Sequence, residues 1–138
     1  PGADYLAPMN ANPASVVHVV DGDPAVRDSL TTLLGLNGFE ATAYATGAAY
    51  LNRGPGHRDG GEWVVCEADL PDGSGLDLFA RIRAADADTP FILLVSHRDR
   101  GIVESARRAG IERVFQKPLV HRNLLEYIRS RSQREDGK

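Results

Sequence analysis

Val16-Val17-His18-Val19-Val20-Asp21-Gly22-Asp23-Pro24 is the stretch on which the fold turns. Its first five residues are nearly continuous in apolar, β-branched character rather than alternating, as a strand covered by helices on both faces must be. Asp23 before Pro24 is a helix start, because a carboxylate caps the free N–H groups and proline suits the first helical position. Strand, short acidic loop and helix make the first half of a βα repeat.

Working outward, similar runs recur at Phe39 to Ala43, Trp63 to Cys66, Phe91 to Val95 and Arg113 to Gln116, their starts separated by 23, 24, 28 and 22 residues. Such an interval holds a strand, a loop, a helix and a return loop, which implies a parallel sheet with Val16–Val20 and Phe91–Val95 as central strands. Between the runs lie helical periods: Pro24 to Gly35 (Val26, Leu30, Leu33, Leu34), ended by Gly35 or Gly38; a short Thr46 to Asn52; Gly75 to Ala85 (Leu76, Phe79, Ile82); Asp99 to Ala109 (Ile102, Val103, Ala106); and Val120 to Arg131 (Leu124, Leu125, Ile128). These stripes read as core. Gly54-Pro55-Gly56 to Gly60-Gly61 reads as a loop, residues 1–14 as a linker or tail, 15–131 as the domain and 132–138 as a second tail.

Composition narrows the function classes. The chain has 138 residues, 42% hydrophobic and 25% charged, which fits a single water-soluble core. One cysteine excludes an internal disulfide framework, and His18, His57, His97 and His121 stand too far apart for a zinc module. No apolar run approaches the roughly 20 residues that cross a bilayer, and Pro1 to Asn12 lacks the order of a signal peptide, so a cytoplasmic protein without a membrane partner is expected. The net charge of −3 is too small to point to nucleic acid as a direct partner. It is unevenly divided, however: residues 1–90 carry 5 basic and 13 acidic side chains, residues 91–138 carry 11 and 6. The C-terminal part is therefore basic.

Sites in open parallel sheets form at the carboxyl ends of the strands, where loops from several units converge. That rule collects Asp21, Gly22 and Asp23 after the first strand, Glu67, Ala68 and Asp69 after the third, Ser96 and His97 after the fourth, and Lys117 and Pro118 after the fifth. Singly, each has an ordinary reading. Asp23 caps a helix, Asp69 and Asp72 suit a turn, Ser96 caps the next helix, His97 is solvated, Lys117 is an exposed lysine and Cys66 is an inert buried thiol.

Together, at these strand ends, they resemble the receiver domain of response regulators in two-component signalling, over roughly residues 15–131. The matching stretches are Val19-Val20-Asp21-Gly22-Asp23-Pro24-Ala25-Val26-Arg27, Glu67-Ala68-Asp69-Leu70-Pro71-Asp72-Gly73-Ser74-Gly75, Ser96, Ala109-Gly110 and Lys117-Pro118. The resemblance implies a flavodoxin-like (CheY-like) doubly wound α/β fold, with five parallel strands in the order 2-1-3-4-5 and five helices. It also implies a phosphorylation switch, in which an aspartate after the third strand takes a phosphoryl group from a histidine kinase with Mg2+ assisting.

Two positions depart from that pattern. Gly22 stands where an acidic residue usually contacts the metal, and Glu67 stands at the phosphoacceptor position. Glutamate is one methylene longer, which moves its carboxylate by about 1.3 to 1.5 Å. Misplacement on the order of 1 Å already costs about a hundredfold where alignment governs the rate. The metal positions left are Asp21 and Asp69, the latter by its backbone carbonyl, so the expected cofactor is none or a weakly bound Mg2+. Ser96 and Lys117 match the residues that face the phosphoryl group, and Lys117 is expected to pair with Glu67. The aromatic position three before the lysine holds Val114, with Phe115 on the opposite face.

These features describe an atypical receiver, not an enzyme, that signals through protein contacts. A histidine kinase, an output domain or a second copy would meet it on the fourth helix, fifth strand and fifth helix, where Arg107, Arg108, Arg113, Arg122 and Arg129 lie. The alternatives are a working phosphoacceptor receiver with an unusual acceptor, or a phosphomimetic variant of one. An unrelated flavodoxin-like enzyme or nucleotide binder would need a phosphate-cradling glycine loop, which Asp21-Gly22-Asp23-Pro24 is not.

Overall fold

The computed structural model describes residues 15–53, 62–86, 88–96 and 100–136. The expected N-terminal tail over 1–14, the glycine-rich loop after residue 53, His97 and Asp99 lie outside them. The elements run β1 (Val16–Val20), α1 (Pro24–Leu36), β2 (Glu40–Tyr44), α2 (Gly47–Leu51), β3 (Glu62–Glu67), β4 (Asp69–Leu70), β5 (Gly73–Ser74), α3 (Gly75–Ala85), β6 (Phe91–Val95), α4 (Arg100–Ala109), β7 (Arg113–Gln116) and α5 (His121–Asp136). The main sheet is parallel, in the order β2-β1-β3-β6-β7. This is the expected 2-1-3-4-5 arrangement, with β4 and β5 as an additional two-residue antiparallel hairpin around Pro71-Asp72. In sequence that segment reads only as a turn, since a ladder of two residues leaves no periodicity.

β1 and β6 are buried at every residue, as central strands should be. Their alternate side chains serve two layers. Val17, Val19, Ile92 and Leu94 join Trp63, Val65 and Phe115 beneath Leu30 and Leu34 of α1 and Leu124, Leu125 and Ile128 of α5. Val20, Phe91, Leu93 and Val95 join Val64 and Cys66 against Tyr50 of α2, Leu78, Phe79 and Ile82 of α3, and Ala106 of α4. Each fully buried Leu, Ile, Val or Phe contributes about 1.5–3 kcal/mol over its exposed state. His18 faces the second layer and is kept there by Tyr44 Oη at 3.0 Å from Nδ1 and Glu62 Oε1 at 2.6 Å from Nε2.

Helix boundaries obey local chemistry. Asp23 caps α1, its Oδ1 accepting from Ala25 N at 2.9 Å. The helix passes through Gly35 and ends at Asn37, where Gly38 at φ +92° lets Phe39 N turn back to Leu34 O. Thr46 and Asn52 prove to be the caps of α2. The buried stripe of α3 is Gly75, Leu78, Phe79 and Ile82, so Leu76 is only partly buried. That set has the spacing i, i+3, i+4, i+7 from Gly75, one residue earlier than expected. On α4, Ala106 is buried and Val103 is 41% exposed, which removes Val103 from the expected stripe. α5 continues beyond Arg131 to Asp136, into the stretch expected as a tail. Among the described residues no helix is long and apolar enough to cross a membrane.

Candidate functional site

The parallel register aligns the carboxyl ends of β1, β3, β6 and β7, and backbone bonds just past the strands fix the first loop residues. Asp21 N donates to Tyr44 O at 3.0 Å, Ala68 N to Leu94 O at 2.8 Å and Lys117 N to Val95 O at 2.8 Å. Asp21, Glu67, Ser96 and Lys117 are thereby brought together, as the strand-end rule requires.

Their side chains form one network. Lys117 Nζ lies 2.8 Å from Asp21 Oδ2 and donates to Glu67 Oε1 at 2.6 Å. Ser96 Oγ donates to Glu67 Oε2 at 3.2 Å. The expected Lys117–Glu67 pair is present, and both Glu67 oxygens are engaged. Asp21 is wholly buried; its Oδ1 accepts from Asp23 N at 2.9 Å and its carbonyl from Arg27 Nη1 at 2.9 Å.

Two carboxylates share one ammonium, so the cluster holds an excess of negative charge. Burial and the adjacent Asp21 carboxylate push the Glu67 pKa above the usual range, Lys117 opposing them. Burial works against the Lys117 ammonium, but the two carboxylates beside it, Asp21 and Glu67, outweigh it and raise its pKa. Behind them, burial first and the nearby carboxylates second push the Cys66 thiol far up, and it is buried as expected.

Other residues around the rim behave differently. Asp23 is an exposed helix cap and Asp69 is exposed on β4. An unforeseen role belongs to Asp72, whose carboxylate accepts from Gly47 N at 3.0 Å and Ala48 N at 2.9 Å, tying the β4–β5 hairpin to the start of α2. Those two N–H groups, Ala48's above all, hold its pKa below the usual value. Its partners lie 25 and 24 residues away, beyond any local motif. A cleft of about 530 Å³ opens between these elements, lined by Gly22, Asp23, Val26, Glu67, Asp69, Leu70, Pro71, Ser96 and Lys117.

The side-chain oxygen donors at the rim are the Asp21 and Glu67 carboxylates and the Ser96 hydroxyl. Among the described residues no three His, Cys, Asp or Glu side chains are grouped to hold a metal. Gly22 offers no side-chain oxygen, and a Cβ there would meet Pro71 Cγ at 2.9 Å and Cδ at 3.0 Å.

On α4, β7 and α5 the arginines fall into two groups. Arg107, Arg108 and Arg122 are exposed, Arg107 paired with Glu104 on its own helix. Arg113 is exposed too, but its guanidinium stacks over Phe115 at 4.9 Å and Tyr127 at 5.6 Å, because residues two apart on a strand share a face. Arg129 is a correction: it donates to Asn37 O at 3.3 Å and Oδ1 at 3.2 Å, joining α5 to the end of α1 instead of lining the expected face. Val114 packs on the layer of α2, α3 and α4, and Phe115 on the layer of α1 and α5.

Residues 17–129 match the model of the response regulator receiver domain. The chain belongs to that family. This receiver domain is 31% identical over 114 residues to the transcriptional regulatory protein FixJ of Bradyrhizobium diazoefficiens, covering 83% of the chain and 55% of FixJ. It is 27% identical to the response regulator protein TodT of Pseudomonas putida, covering 85% of the chain and 51% of TodT. It thus spans about half the length of these relatives. Among solved structures, a CheY-like receiver domain protein from Methanospirillum hungatei superposes with a TM-score of 0.80 at 22% identity, covering 90% of this chain and 98% of that one. The FixJ-N structure gives 0.75 at 28% identity, covering 86% and 94%.

Proposed function

We propose that this receiver domain signals through protein contacts and does not cycle by Mg2+-assisted phosphorylation of an aspartate. The observation that carries this reading is that Glu67, at the acceptor position, already holds both groups expected to face a phosphoryl group: Lys117 at 2.6 Å and Ser96 at 3.2 Å. With both oxygens engaged and the carboxylate displaced by its extra methylene, in-line attack on a phosphodonor is disfavoured about a hundredfold or more. The arrangement copies part of a phosphorylated rim. The copy is partial, since a phosphoryl group brings more charge and a third terminal oxygen.

Incubation with acetyl phosphate and Mg2+, followed by intact-mass measurement, is expected to leave the mass unchanged. A gain of one phosphoryl mass would favour the alternative, a working receiver with an unusual acceptor.

The partner in this reading is a signalling protein, a kinase or an output domain, or a second copy, in the cytoplasm. FixJ is a transcriptional regulatory protein; here the proposed contacts are protein contacts, and DNA would be met only by an attached output domain. The exposed Arg108 and Arg122 mark the face. Charge reversal, Arg108→Glu with Arg122→Glu, is expected to weaken self-association about tenfold in sedimentation or sizing experiments at low salt. Unchanged association would remove the face from the proposal.

A further inference from the structure

We propose that the Lys117 ammonium is the resident cation of this rim, and that the site takes no divalent ion while Lys117 is in place. The inference rests on the proposed function of the rim and adds what holds its carboxylates together.

Asp21 is completely buried, and its Oδ2 accepts no hydrogen bond of ordinary geometry from the described residues. A buried carboxylate oxygen needs compensation, and the ammonium at 2.8 Å provides it. The same ammonium lies 2.6 Å from Glu67 Oε1, so it bridges the two carboxylates as a metal ion would. Ser96 takes the remaining Glu67 oxygen. An incoming dication would have to share these carboxylates with the ammonium, and like charges repel more strongly in a partly buried site than in water.

Position 22 lacks a side chain, and the space for one is short. A Cβ at position 22 falls 2.9 Å from Pro71 Cγ and 3.0 Å from Cδ, atoms of a ring that cannot swing aside like the end of a flexible chain. Mg2+ demands near-octahedral oxygen geometry and sheds water reluctantly. Position 22 therefore supplies no ligand, and an acid introduced there must first move the Pro71 corner.

The test is a Mn2+ titration of the full chain with no phosphodonor, read by paramagnetic broadening of backbone NMR signals and by the thermal midpoint; Mn2+ prefers the same oxygen ligands as Mg2+. In the unaltered chain no saturable broadening at Gly22, Glu67 or Ala68 is expected up to about 10 mM Mn2+. Lys117→Met should create a saturable site at least about tenfold tighter than that limit, with a midpoint raised by the ion, whereas Lys117→Arg should not. Gly22→Asp alone should lower the midpoint and bind no Mn2+, and adding Pro71→Ala should recover the midpoint. Saturable Mn2+ binding at the rim of the unaltered chain or of Gly22→Asp, or Lys117→Met binding no better than its parent, would overturn the proposal even if other variants fail to fold. A phosphoryl gain without Mn2+ binding would count against the proposed function alone and leave this inference standing.

Discussion

Gly75→Ala is expected to destabilise the domain by about 3 kcal/mol, at the upper end of what overpacking costs, and to shift the Glu67 backbone. An alanine Cβ at this position would lie 2.5 Å from the Glu67 carbonyl oxygen, 2.9 Å from Leu93 Cδ1 and 3.2 Å from Cys66 Sγ. The nearest of these is backbone in a central strand, which cannot turn aside. Gly75 N also donates to Ala68 O at 2.9 Å, so the first turn of α3 is seated on the chain just past β3. The penalty opposes the helix preference for alanine, about 1 kcal/mol over glycine. Gly35→Ala isolates that preference, because nothing lies within 4 Å of its added Cβ on α1. Urea unfolding should show Gly35→Ala neutral or stabilising and Gly75→Ala strongly destabilising. Equal effects would mean that α3 is not packed this closely on the strand that carries Glu67.

The second large effect is Lys117→Met, expected to cost about 2–3 kcal/mol at pH 8, since removing one partner of a buried pair strands the other charge. Side-chain exposures of 19% for Lys117 and 12% for Glu67 hold the value below that of a fully buried pair, while Asp21 at 0% keeps it well above that of a surface pair. The loss should shrink as the pH falls. Lys117 opposes the raised Glu67 pKa in the parent; without it that pKa lies higher still, so the variant's folded state gains more stability than the parent's as pH drops through it. On the alkaline side, the contribution of Lys117 in the parent is complete below the ordinary lysine pKa and is lost as pH rises through its raised folded value. Unfolding free energies of parent and variant at pH 5 and pH 8 check this. A difference independent of pH would assign the loss to packing of the lysine stem and not to its charge.

Much of this architecture is legible in the sequence because its causes are local. The unbroken apolar run of β1 requires cover on both faces, and Asp23-Pro24 sets a helix start in two residues. The meeting of Asp21, Glu67, Ser96 and Lys117 comes from a topological rule once the βα period is read, and the Lys117–Glu67 pair from the resemblance to receiver domains, whose lysine faces the acceptor position. What escapes depends on distant chain segments meeting. Asp72 looks like a turn residue, and only the tertiary structure sets its carboxylate against the N–H groups of α2. The closeness of Pro71 to Gly22 joins two loops 49 positions apart. The charge of Arg129 suggests a partner face, but the packing of α5 beside α1 directs it to Asn37.

The corner at residues 71–72 does two jobs at once: the proline ring bars position 22, and the neighbouring carboxylate moors α2. Mutational routes toward a metal-holding rim are coupled to that mooring. An acid at position 22 gained first must push against the corner, while loosening the corner first slackens α2 with nothing yet gained. Either order is expected to pass through a less stable protein, so the two changes are coupled in stability although they sit in different loops.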